Sequence, residues 1–214
     1  MTRISIALAC AVVAFAAAGC KIVKNKPEGE KAIAADASGD DARIEQRLAD
    51  SFDSQLAPYI AANAQTVASL RQALAAGLDE AGAAHGTKGS GAGAAWNFPV
   101  QGEGTVVSSK LDTRARVAGV DTDGDGAADV TVQLGPVIKG TALRDVAPFY
   151  NFDDFRDQIE FAKLARALND RISAGVALPG DGIDGKAIGF SGVIALKKAD
   201  EPFVVTPLVV EFTP

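Results

Sequence analysis

The apolar residues of this chain change their spacing at Trp96, and that change limits the fold more than any single motif. Before it, Ile44, Leu48, Phe52 and Leu56 recur every fourth residue, and Val67, Leu70, Leu74 and Leu78 form a second stripe. That is the spacing of helices with one buried face. Pro58 lies between the stripes, where its missing N–H interrupts or restarts the helix. After Trp96 the period is two. Residues 104–109, 115–120 and 130–134 alternate and 137–143 extends the series, as the strands of a meander do.

A helix is expected next. Asn151 reads as its N-cap with Asp154 at the third helical position, and Phe152, Phe155, Ile159, Ala162, Leu164, Leu168 and Ile172 supply an apolar face to about Ser173. Residues 186–197 and 204–212 then read as two more strands, the last pushed toward an edge by Pro207. Strands, a helix, then two strands is the chain order of the OB-fold. The expected class is therefore α+β: an OB-like five-stranded antiparallel barrel with an inserted helix, preceded by an N-terminal helical pair. A generic antiparallel sheet packed on helices is the alternative. Glycines inside strands, such as Gly102, Gly104, Gly189 and Gly192, suit barrel corners, and Gly140 is expected at a bend or bulge.

The N-terminus sets the compartment. Arg3, the apolar run 4–18 and Ala17-Ala18-Gly19-Cys20 read as a lipoprotein signal peptide over 1–19, with cleavage before Cys20. Acylated Cys20 would carry three chains, enough to hold the protein on a bilayer. Lys21, in place of aspartate, points to the outer membrane rather than the inner one. Residues 20–42 read as the lipidated cysteine and a polar tether. Residues 43–95 are a helical segment with a Gly-rich loop, and 96–214 a barrel region packed with those helices as one domain.

Several function classes are excluded. Cys10 leaves with the signal and Cys20 is acylated, so no thiol is left for catalysis or for a cysteine metal site. A formal charge of −6 offers no electrostatic footprint for nucleic acid. His85, the single histidine, stands in a Gly-rich stretch without neighbouring carboxylates, which argues against a serine hydrolase. The run GDGIDGKA at 180–187 lacks the Ser/Thr and the helix of a P-loop.

Two constellations remain. In VDTDGDGAADVTVQLG, Asp121, Asp123 and Asp125 occupy positions one, three and five, Gly126 position six and Asp129 position nine. Alternating carboxylates on a tight turn are a calcium donor set, and the crowded charges would otherwise favour an open loop. Val132 at position twelve excludes an EF-hand, and the alternative to calcium is a DG-rich hairpin turn. The second constellation, Arg144, Asp145, Gln158 and Glu160, could line a cleft or serve as scaffolding.

The chain also carries Cys20-Lys21-Ile22-Val23, then Trp96-Asn97-Phe98 with Gly102 and Gly104, and QLGPVIKGTALRDVAPFYNFDDFRDQIEFAKLARALNDRI over 133–172. In these it resembles a family of predicted periplasmic lipoproteins of unknown function. The departures are Lys139, where arginine is common, and Asp157, where asparagine is common. The resemblance implies an accessory role beside sugar-type ABC uptake systems and implies no catalytic residues. The expectation is a non-enzymatic, lipid-anchored periplasmic binding or accessory protein with Ca2+ in the aspartate loop and ABC transporter components or a small solute as partner. The competing expectations are a metal-dependent envelope hydrolase and a purely structural envelope lipoprotein.

Overall fold

The computed structural model describes residues 32–213 apart from Ser90 and Ala92. Cys20, the signal peptide and residues 20–31 of the tether lie outside the described residues. Two short strands, β1 (Gln65–Thr66) and β2 (Thr87–Lys88), precede five longer ones. These are β3 (Trp96–Lys110), β4 (Ala115–Asp121), β5 (Val130–Pro136), β6 (Ala187–Leu196) and β7 (Val204–Thr213). The long strands pair in the order β3-β4-β5-β7-β6, and β6 pairs back onto β3, closing a barrel. Strand β3 serves two neighbours because it is long: it runs along β6 from Trp96 to Thr105 and along β4 from Thr105 to Lys110.

Four seams of the ring are antiparallel, as expected. The β5–β7 seam is parallel, through Thr131 opposite Val204 and Val132 opposite Val205. A closed ring with an odd number of strands cannot alternate direction all the way round, so one parallel seam is unavoidable.

Two other strand expectations change. Residues 137–143 do not continue the sheet. Pro136 cannot donate to a ladder, Gly140 takes a left-handed φ of 96°, and the chain turns into a one-turn helix, α5 (Ala142–Asp145). Pro207 marks no edge, because a closed barrel has none. It faces Gly192 at a register shift that leaves Leu208 as the extra residue of a β-bulge, another place where proline is tolerated.

Helices divide between two apolar clusters. The barrel interior holds Phe98, Val100, Val120, Val132, Ile188 and Ile194, joined by Val67, Leu70 and Leu74 of α3 (Val67–Leu74). Outside the barrel, α1 (Asp40–Ser51), a π turn (Phe52–Leu56), α2 (Ala57–Asn63) and α6 (Gln158–Gly175) form a layer with α5. The last helix, α4 (Leu78–His85), ends at the single histidine. In the layer, Ile44, Leu48, Phe52, Leu56 and Ile60 are all buried. In a straight α-helix a four-residue repeat drifts by about 40° per step. The wider π turn takes back part of that drift, and its Ala57 N–H donates to the Phe52 carbonyl just before Pro58.

The layer's edges differ from expectation. Helix α1 begins at Asp40 after a 3-10 turn (Ala37–Gly39), so regular structure reaches into the segment read as tether. Asn151 precedes only a 3-10 turn (Phe152–Asp154) and its side chain caps nothing. The N-cap of α6 is Asp157, whose Oδ1 accepts the N–H groups of Ile159 at 2.9 Å and Glu160 at 3.0 Å. Because Phe155 is extended between the turn and the helix, the expected apolar face breaks: Ile159 is 64% exposed, and Phe152 and Ala162 are exposed as well.

Candidate binding site

One face of β3, β6 and β7 forms the outer wall of the barrel, and its two halves have different fates. In the first half Pro99, Val193 and Thr206 stand side by side, and Val193 and Leu208 pack in the same cluster as Leu56, Ile60 and Leu168. In the second half the rows are Gln101–Ser191–Val209 and Glu103–Gly189–Glu211. Here, among the described residues, no element packs on top. Gln101, Glu103, Val209 and Glu211 are exposed, and a Cβ built on Gly189 would meet nothing within 4 Å.

These two rows form the floor of a cavity of about 660 Å³, within the ~300–1,000 Å³ of small-ligand sites. Its walls are the N-terminal half of α3 with its N-cap Thr66 and with Arg71, and the β4–β5 loop through Thr122, Asp123 and Asp129. Between the floor residues Gly189 and Ser191, Phe190 turns its ring into the barrel over Gly102, where a Cβ would come within 2.8 Å of it.

The aspartates form the wall by pairing with their own backbone. Every N–H from Thr122 to Ala127 is donated to a loop carboxylate. Asp121, buried, takes those of Asp123 at 3.1 Å, Gly124 at 2.7 Å and Gly126 at 2.8 Å. Gly124 and Gly126 adopt φ of 83° and 87°, the left-handed turns that aim successive N–H groups inward. The N–H groups of Gly126 and Gly124 hold the Asp121 carboxyl below its ordinary range. Burial pushes Asp129 up, but hydrogen bonds from Thr122 and the charge of Arg71 outweigh it, and the net direction is down. The loop thus relieves its own charge repulsion, contrary to the open state expected of a metal-free loop. Oxygens of Asp121, Asp123 and Asp129 lie within 4.8 Å of one another. Asp125 is outside this group and instead accepts the Ala127 N–H at 2.7 Å.

The second constellation does not come together as a cleft. Arg144 pairs with Asp145 at 2.7 Å and stacks over Phe161 at 3.7 Å, while Gln158 is exposed. Glu160 turns toward the start of α1, where Arg43 contacts it at 2.6 Å. Asp40, 1% exposed, meets Arg43 at 2.6 Å, Arg156 at 3.0 Å and Lys163 at 3.4 Å. This network fixes the first helix to α6 and serves as scaffolding. Sequence reading missed it, and also missed Arg71, Gln101, Glu103, Ser191 and Glu211. A signal for the cavity exists in β3, whose alternate positions turn polar after Pro99.

Residues 10–211 match the model of a family described as predicted periplasmic lipoproteins (DUF2291). The chain belongs to that family. Membership places it among periplasmic lipoproteins, attached to a membrane by lipid. No curated protein matches it. Among solved structures, the crystal structure of an OB-fold protein from Thermotoga maritima is similar over 80% of this chain and 95% of its own, with a TM-score of 0.57 and 20% identity. At that identity the likeness shows the fold, and the fold is the OB-like barrel with helices.

Proposed function

We propose that this protein is a non-catalytic, lipid-anchored periplasmic binding protein that takes a small solute on the open half of its barrel wall and serves an ABC uptake system. The observation that carries this reading is the cavity itself, floored by two in-register rows of side chains that the helical layer leaves uncovered. The partner is what the chain's resemblance to a family encoded beside sugar-type ABC uptake systems implies. Acylated Cys20 is the proposed anchor, with the outer membrane as its site. Testing requires the acylated full-length protein, a panel of periplasmic solutes and melting curves for wild type and Val209→Trp, which fills the cavity from an exposed position. A solute should raise the wild-type midpoint and leave the variant unmoved. No response to any solute, or an equal response in the variant, contradicts the reading.

We also propose that Asp121, Asp123 and Asp129 hold Ca2+. The support is three hard oxygen donors at close spacing, the chemistry calcium prefers. Because the loop's own N–H groups already relieve its repulsion, the ion adds little to the fold. With a dissociation constant of ~1 mM, as in extracellular modules, 5 mM calcium contributes about 1 kcal/mol. Asp123→Asn should abolish that rise in midpoint and Asp125→Asn should keep it. A rise that requires Asp125 refutes this ligand set.

A further inference from the structure

The class of solute follows from what the cavity leaves unpaired, an inference that rests on the binding reading above. Its two threonine hydroxyls and one arm of its arginine are committed. Arg71 gives its Nη2 to the Asp129 carbonyl at 2.8 Å and to the carboxylate at 3.1 Å. Thr122 Oγ1 donates to Asp129 at 2.7 Å and Thr66 Oγ1 to Ser69 at 2.9 Å. The charged groups left for a ligand are the Glu103 and Glu211 carboxylates on the floor. Gln101, Ser191 and the other N–H groups of Arg71 supply donors. Counted by charge, Arg71 is offset by Asp129, with which it pairs, whereas among the described residues no cation pairs with the two floor carboxylates, Glu103 and Glu211.

A neutral polyol can donate its hydroxyls to the carboxylates but leaves their charge uncompensated. An organic anion is repelled. An ammonium or guanidinium group offers donors alone. Space agrees with charge. Glu103 and Glu211 flank Gly189 on the two neighbouring strands, which places their backbones about 10 Å apart at ordinary strand spacing. The missing side chain of Gly189 keeps the slot between them clear. Val209, 44% exposed, supplies apolar surface beside it for a carbon chain. We infer that the cavity binds an organic cation, an amine or guanidinium on a short aliphatic chain, with its charge seated between Glu103 and Glu211 over Gly189.

The test is calorimetric titration of the acylated full-length protein in detergent, with chelator and at fixed ionic strength, using cadaverine, ribose and succinate as probes. Cadaverine should bind, and Glu103→Gln with Glu211→Gln should weaken it at least tenfold. Gly189→Val, which fills the slot without changing charge, should weaken it comparably while the melting midpoint confirms folding. Binding of ribose or succinate in place of cadaverine, abolished by Val209→Trp, overturns the cation assignment and leaves the solute-binding reading standing. Cadaverine binding that survives both the glutamine pair and Gly189→Val places the cation elsewhere and overturns the site. No binding of any probe, together with no response across the solute panel, overturns both readings.

Discussion

Leu208 and Val209 are neighbours in the chain with opposite roles. Leu208, at the bulge, is 9% exposed and packs under the helical layer, whereas Val209 is 44% exposed beside the cavity. The same contrast runs across the whole outer wall, from Pro99–Val193–Thr206 on the covered half to Glu103–Gly189–Glu211 on the open half. The difference teaches that one strand can be packed in one stretch and open in the next, according to where the helices stop.

The sharpest way to break that comparison is to truncate both neighbours. Leu208→Ala should cost about 2–5 kcal/mol, since it empties a packed site, and Val209→Ala should fall within about 0.5 kcal/mol of wild type. Denaturant midpoints decide it; equal losses would mean that the open half is structural after all.

Two glycines of β6 extend the contrast. A Cβ on Gly192 would come within 2.3 Å of the Thr206 carbonyl oxygen, while one on Gly189 meets nothing. Gly192→Ala should therefore cost about 1–3 kcal/mol through overpacking and Gly189→Ala almost nothing, as read from thermal midpoints. A harmless Gly192→Ala would show that the bulge yields more readily than its geometry implies.

Next in size is the helix start. Asp157→Ala should cost about 1 kcal/mol, because its carboxylate caps two N–H groups. Asn151→Ala should be close to neutral. The reverse ranking would move the start of α6 back to Asn151.

The smallest effect at neutral pH is electrostatic, and it grows with acid. Hydrogen bonds from Arg156 hold the Asp40 carboxyl low. Burial pushes Glu160 up, but Arg43 and the Arg156 N–H outweigh it. Asp121 and Asp129 are lowered too. A depressed carboxyl contributes stability above its unfolded value of about 4 and loses it as pH falls through the folded value. The melting midpoint should stay level from pH 7 to about 5 and fall below about 4. Asp40→Asn should lower the midpoint at pH 7 and flatten the acid limb. An unchanged acid limb would remove Asp40 from the set of groups that protonate on unfolding.

These two acidic clusters also show what the sequence makes legible. The aspartate loop bonds to residues two to seven positions away, so its turn could be read directly from Asp and Gly spacing. Asp40 is held by Arg156 and Lys163, more than a hundred positions along, and no local pattern announces that. The five barrel strands were legible from alternation because both faces of a strand report burial. The end of the covered half was not, since it depends on where α2 and α6 stop. The choice of Asp157 over Asn151 was partly legible: Asp157-Gln158-Ile159-Glu160 has a capping-box pattern, masked by the apolar residues just before it.

The central claim is that the open half of the wall is where the solute sits. Backbone amide shift mapping of the isotope-labelled, acylated protein, titrated with whichever solute raises its melting midpoint, tests this most directly. The account predicts perturbations at Gln101–Glu103, Gly189–Ser191 and Val209–Glu211, with Val193 and the helical layer unmoved. Perturbations centred on the helical layer, or scattered without reference to these rows, would contradict it.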